Sequence, residues 1–216
     1  MRRFILLLLL TFPVLWVSAQ KADNIFTIAA DGSILAKPVY NEVKPNWTGG
    51  GFKDVLTETF RTQNQTLYTI RLRKWDGELE VNVFNQIEIM YNNQTICSIM
   101  DDGLWRDAAL ANGRTRLYEV IPLSQTASAL LFFGWPYGGD PSLLTIVVVN
   151  KGTAKLVFSR YCDILNYEDK NGVFSIIYSD RYQEYIDENT PIPADNELNK
   201  FKIWKSDGVL KFQKIQ

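Results

Sequence analysis

Two dense apolar runs, Ala129 to Phe133 and Leu143 to Val149, stand out in the hydrophobic pattern of this chain. Short runs rich in β-branched and aromatic residues, bounded by Gly and Pro, read as buried strands. A strand that is apolar on both faces needs cover on both sides. The pair is therefore predicted to form the centre of an all-β domain, joined by a turn-rich segment of Gly, Pro, Trp and Tyr.

Elsewhere the pattern alternates. From Leu67 to Tyr91, Leu79, Val81, Val83, Ile87 and Ile89 share one parity, and Glu78, Glu80, Asn82 and Glu88 take the other. That is a half-exposed sheet. With Asp76-Gly77 as a two-residue turn, the expected pairs are Arg73–Glu80, Leu72–Val81, Arg71–Asn82 and Ile70–Val83. Further hairpins are predicted over Asp31-Gly32, Lys151-Gly152, Asn171-Gly172 and Asp207-Gly208. Strands are expected at Thr95–Met100, Thr115–Leu123, Ala154–Tyr161 and Val173–Tyr178. Between Met100 and Thr115, Asp107 can cap a short helical turn ending at Gly113.

Similar pieces recur. LYTIRLRKWDGELEVNV has the strand–turn–strand plan of LLTIVVVNKGTAKLVFS, IEIMYN (87–92) sits over CDILNY (162–167), and KWDGEL (74–79) over KSDGVL (205–210). The expected fold is antiparallel hairpins and meanders forming a β-sandwich or open barrel with internal duplication, in units of about 56–125 and 126–216. A small propeller-like β repeat is the alternative. Alternation constrains all amphipathic strands alike, and that by itself generates such likeness.

The N-terminus adds a destination. Arg2 and Arg3 precede an apolar stretch from Phe4 to Val17, and Val17-Ser18-Ala19 fits the small-residue cleavage rule. The run is short for a membrane span and Pro13 interrupts it. Residues 1–19 read as a cleaved signal peptide, and 20–216 as a single soluble all-β domain, secreted or periplasmic. The mature chain carries no expected membrane span, and no Cys follows the apolar stretch to suggest a lipid anchor.

Charge and composition mostly exclude. With 23 basic and 24 acidic residues the net charge is −1, which is no nucleic-acid footprint, and no polybasic run suggests an anionic membrane surface. There is no histidine, which removes Ser-His-Asp and Cys-His catalysis, histidine metal sites and a histidine pH switch. Cys97 and Cys162 permit one disulfide in an oxidising compartment, but their apolar strand context favours two buried thiols.

Few motifs carry chemistry. The loop FFGWPYGGD (132–140) offers Trp135 and Tyr137, whose flat faces and polar edges suit a sugar ring or a peptide, and Trp47 sits in a glycine-rich loop of its own. The competing reading folds these rings back as a lid on the core. Asp101, Asp102 and Asp107 are a conceivable carboxylate set for glycoside hydrolysis, but neighbouring strand residues point to opposite faces. YEDKNGVF (167–174) partly matches a calcium loop, with Tyr167 at the first ligand position, and reads better as a hairpin. Gly49 to Gly51 lack the strand and the Lys-Ser/Thr of a phosphate loop. Asn46, Asn64 and Asn93 head Asn-x-Thr sequons, which matter in a eukaryotic secretory host. The sequence thus points to an exported, non-catalytic binding module for carbohydrate or peptide, without a cofactor. A carboxylate-dependent hydrolase of extracellular polymers and a structural subunit of the cell envelope are the competing classes.

Overall fold

The structure is a computed structural model and describes residues 24–29, 51–77, 83–106, 108–109, 115–116, 118–134, 142–170, 173–179 and 199–215. The strands are β1 (Asn24–Ile28), β2 (Phe52–Arg61), β3 (Leu67–Trp75), β4 (Val83–Tyr91), β5 (Gln94–Arg106), β6 (Ala108–Ala109), β7 (Thr115–Arg116), β8 (Tyr118–Pro122), β9 (Ala127–Gly134), β10 (Ser142–Asn150), β11 (Thr153–Lys170), β12 (Val173–Ser179), β13 (Lys200–Ser206) and β14 (Val209–Lys214). All described pairings are antiparallel. One sheet of eight strands runs β1-β14-β13-β12-β11-β10-β9-β8, a second of four runs β2-β3-β4-β5, and β6 and β7 form a small ribbon. Neither large sheet closes into a barrel, and an eight-stranded meander is not a set of propeller blades.

The long strand β11 explains the layering. Its first part, Thr153 to Cys162, pairs with β10, and its second part, Asp163 to Lys170, pairs with β12. A bulge between Ile164 and Asn166 marks the changeover, and bulges bend strands. The bend brings the two halves of the sheet face to face. Phe158 from the first half meets Tyr178 and Phe212 from the second with centroids 5.7 Å apart in each pair, and Phe133 of β9 meets Tyr167 edge-on at 5.9 Å. Residues of all eight strands line this first core.

The four-stranded sheet covers the other face of β8–β11. There Tyr68, Ile70, Leu72, Phe84, Ile87, Ile89 and Trp105 pack on Leu130, Phe132, Leu143, Val147 and Val149. Strands β9 and β10 therefore send alternate side chains into two cores: Leu131, Phe133, Leu144 and Ile146 to one, and Leu130, Phe132 and Val147 to the other. Their dense apolar sequence follows from this middle-layer position, as expected. Thr145 is the one hydroxyl in LLTIVVV. It lies fully buried, accepts from Trp105 Nε1 at 3.2 Å and shares a hydrogen bond with Ser159 Oγ at 2.9 Å.

Tight turns close the meander where Asn, Asp and Gly allow them. Lys151 and Gly152 have φ of 46° and 78°, and Asp207 and Gly208 have 53° and 75°, the paired positive angles of a type I′ turn. Lys170 pairs with Val173 in the β11–β12 ladder, and the Asn171-Gly172 turn expected between them lies outside the described residues. Gly152 is held from two sides. Its amide donates to Tyr68 Oη at 2.8 Å, and a Cβ there would lie 2.6 Å from the Tyr91 ring. Gly152→Ala is expected to cost about 1–2 kcal/mol through the left-handed backbone and that contact. A urea denaturation midpoint measures it. A loss of only a few tenths would show that the turn and Tyr91 yield freely.

Two expectations are corrected. The register of β3 on β4 is Ile70–Ile89, Arg71–Glu88, Leu72–Ile87 and Arg73–Gln86, not the pairs that a turn at Asp76-Gly77 dictates. At Leu72 the partner lies six residues further along. An even shift keeps every side chain on its face, so alternation cannot distinguish the two registers. The observed one sets Arg71 opposite Glu88, and Asn85 Oδ1 accepts the Trp75 amide at 3.0 Å to finish β3. Asp76 is used elsewhere: its amide donates to Gly51 O, and its carboxylate pairs with Lys53. The second correction concerns the helical turn after Asp107. Ala108 and Ala109 are extended and pair with Arg116 and Thr115, and no helix occurs among the described residues.

Candidate functional site

Gly134 of β9 pairs with Leu143 of β10. The aromatic loop is thus the connection at one end of the central hairpin, rooted directly on Phe133 and Leu143, both buried. Its two roots come from strands packed on both faces, so the scaffold beneath it is held from two sides. Rigid elements that present a loop are a common arrangement for recognition. Trp135 and Tyr137 themselves, and Trp47, lie outside the described residues, as do residues 1–19, the Asp31-Gly32 turn, Asn46 and Asp107.

The other sequence candidates are positioned as follows. Asp101 and Asp102 belong to β5 rather than to a turn. Met100 pairs with Gln86 and Trp105 with Phe84, so residues 101–104 bulge out of the ladder opposite Asn85 alone. In the partial calcium motif Tyr167 points into the first core, touching Phe133 and Phe174, and so occupies the first ligand position with a packed ring. Among the described residues no group of three His, Cys, Asp or Glu side chains is arranged to hold a metal ion. Cys97 and Cys162 are not joined by a disulfide, Cys162 lying in the first core and Cys97 against the second. Burial pushes the Cys97 thiol up to about 11, well away from the thiolate character that reactivity needs. Of the sequons, Asn64 and Asn93 are both exposed. Asn64 Oδ1 accepts from Thr62 Oγ1 and Thr66 Oγ1, and Asn93 sits in a tight turn at φ 60°.

One polar constellation was not singled out in the sequence. On the face of β2–β5 turned away from the core, Arg71 Nε donates to Glu88 Oε2 at 2.6 Å, and a second guanidinium nitrogen pairs with the same oxygen. Arg73 reaches Asp54 Oδ1 at 3.0 Å, Gln86 Oε1 at 3.3 Å and the Phe52 carbonyl at 3.0 Å, with its guanidinium 5.6 Å from the Phe52 ring centre. Gln86 Nε2 donates to Ser98 Oγ and to Glu88 Oε1. The network runs across all four strands and uses its charges internally. A hydrolase would need two carboxylates open to substrate, one to give a proton and one to attack or activate water. Here Glu88 and Asp54 are both engaged by arginine, and the arrangement clamps strands rather than presenting a reactive group. Its signal in the sequence was alternating Arg71, Arg73 against Gln86, Glu88, readable only once the register is known.

A second polar link joins the two sheets at their edges. Tyr118 of β8 donates to Glu58 Oε2 of β2 at 2.7 Å. Burial and the facing carboxylate both push the Tyr118 phenol far above its ordinary value. The chain matches no protein-family model, no curated protein and no solved structure.

Proposed function

We propose that the protein is an exported, soluble, non-catalytic binding module that takes a carbohydrate or peptide ligand on the loop 135–141, with Trp135 and Tyr137 as contact surfaces and Trp47 as a third ring. Export rests on residues 1–19. The observation that carries the binding reading is the rooting of this loop on Gly134 and Leu143, at the end of a hairpin buried on both faces. A loop of Gly, Pro, Trp and Tyr on so stiff a base combines close backbone approach with flat apolar faces and polar edges. The described residues contain no helix long and apolar enough to cross a membrane.

A thermal-shift screen of residues 20–216 against soluble glycans and peptides tests the reading, with Trp135→Ala in parallel. A ligand at ~100 times its dissociation constant stabilises the native state by about 2.7 kcal/mol. The expected result is a raised melting temperature in the wild type that the variant loses. If no ligand class raises it, and Trp135→Ala is simply less stable, the rings belong to the core and the binding reading fails.

A further inference from the structure

We propose that the outer face of β12–β13–β14, centred on Trp204, is a docking surface for an anionic polysaccharide. Phe201, Ile203, Leu210 and Phe212 point into the first core, so the alternate positions of the two strands face outward. Those positions include Lys200, Lys202 and Trp204 on β13 and Lys211 on β14. Trp204 pairs across with Lys211 on one side and Ser175 on the other. The indole is partly exposed and belongs to neither hydrophobic core. The Lys202 ammonium lies 5.8 Å from its ring centre, which makes ring and charge one unit.

The near-neutral chain conceals this patch. Residues 199–216 hold Lys200, Lys202, Lys205, Lys211 and Lys214 against the single acid Asp207. None of Lys200, Lys202 and Lys211 takes part in a salt bridge among the described residues. Alternation along a strand spaces side chains of one face by roughly 6.6–7 Å, with the next strand about 4.8 Å away. The result is three cations, Lys200, Lys202 and Lys211, set around one aromatic ring, with the acid Glu168 two strands away beyond Ser175.

That chemistry selects a ligand. Extended peptides commonly dock by adding a strand to a free sheet edge, but β13 is paired on both sides, with β12 and β14. Recognition here must use side chains alone. The C–H face of a sugar ring stacks on an indole, and carboxylates spaced along a uronic-acid chain pair with the flanking ammonium groups. Lys200, Lys202 and Lys211, none of them in a salt bridge among the described residues, supply the complementary charge. This surface is separate from the loop 135–141 and does not rest on the reading of that loop.

Affinity electrophoresis of the full chain through gels containing polygalacturonate tests the proposal, with neutral dextran and poly-glutamate as comparison gels. Retardation by polygalacturonate is expected, weakening with added salt and far exceeding that in either comparison gel. Trp204→Ala, and the double change Lys202→Glu with Lys211→Glu, should each weaken binding at least tenfold. Lys155→Glu, a charge reversal on an exposed position of β11, should leave it within twofold. Unfolding midpoints of all variants separate lost binding from lost fold. No retardation by polygalacturonate, equal retardation by poly-glutamate, or equal loss in Lys155→Glu would overturn the proposal. So would self-association by sedimentation that Trp204→Ala abolishes, because the face would then meet a second copy of the chain.

Discussion

Trp105→Ala is expected to lower the folding stability by about 3–5 kcal/mol, the range for removing a large buried aromatic side chain. Trp105 is fully buried, stacks on Phe84 with centroids 5.6 Å apart, and reaches across to the middle layer through Thr145. It is therefore among the few side chains that tie the four-stranded sheet to the meander by both packing and a hydrogen bond. Loss on this scale would take a third or more of the stability of an ordinary domain. Trp105→Phe should retain much of the stacking. Thr145 still has Ser159 as a partner, so no buried hydroxyl is left alone and the cost should fall to about 1–2 kcal/mol. Urea titrations measure both, read as a midpoint change at constant slope. If Trp105→Ala costs less than about 1 kcal/mol, the two sheets are not held together through this residue.

How far the fold was legible depended on what each segment had to satisfy locally. The two runs of β9 and β10 announced a middle layer because both faces of each strand had to be packed, with Thr145 the one polar residue in them and hydrogen-bonded on burial. The turns at Lys151-Gly152 and Asp207-Gly208 were legible because few residue pairs accept two positive φ angles. The same rule misled at Asp76-Gly77, where the adjacent strand register is fixed instead by Arg71 meeting Glu88 and by Asn85 capping Trp75. Strand β2 gave no alternating signal at all. Its partly buried residues, Phe52, Leu56 and Phe60, are four apart, because it is an edge strand with a bulge between Asp54 and Leu56 and with charges on much of its surface. Edge strands resist unwanted pairing by such means, and the device that protects β2 also hides it from a periodicity reading. Strand β1 was invisible as a partner of β14 because that pairing joins the two ends of the chain.

The site was legible to a different degree. Trp135, Tyr137 and Trp47 were chosen for residue type, and only the rooting of the first two on the central hairpin adds a physical reason to that choice. The lysines of β13 and β14 escaped notice because a net charge and a search for contiguous basic runs both average over strand alternation. On a strand, every second residue is a neighbour in space. A basic face can therefore be spread through KFKIWKSDGVLKFQK without any run of like charges.

A decline in stability above pH 9 is the other large effect expected. Three buried or half-buried acids hold their protons more tightly in the folded chain: Cys97, raised from 9.0 to about 11 by burial, Tyr118, raised by burial and by Glu58, and Tyr68, raised by burial against the lowering effect of the Gly152 amide. For each, the native state keeps a proton that the unfolded chain has already released. Unfolding then releases protons, so stability falls as pH rises. The contribution of Cys97 is complete below pH 9 and disappears as pH passes through about 11. At two pH units it amounts to at most about 2–3 kcal/mol, less whatever solvent reaching the half-buried thiol removes. The tyrosines continue the decline from their ordinary value of 10.0 upward. Denaturation midpoints should be flat between pH 7 and 8.5 and drop steadily towards pH 11. Cys97→Ala should remove the first part of the drop. Tyr118→Phe should remove a later part while preserving the ring contact with Phe132 at 5.9 Å. A midpoint that stays level to pH 11, or a drop that neither substitution changes, would mean that these three groups are as accessible in the native protein as in the unfolded chain. The packing of β5 against the second core and the Tyr118–Glu58 link between the sheet edges would then both have to be abandoned.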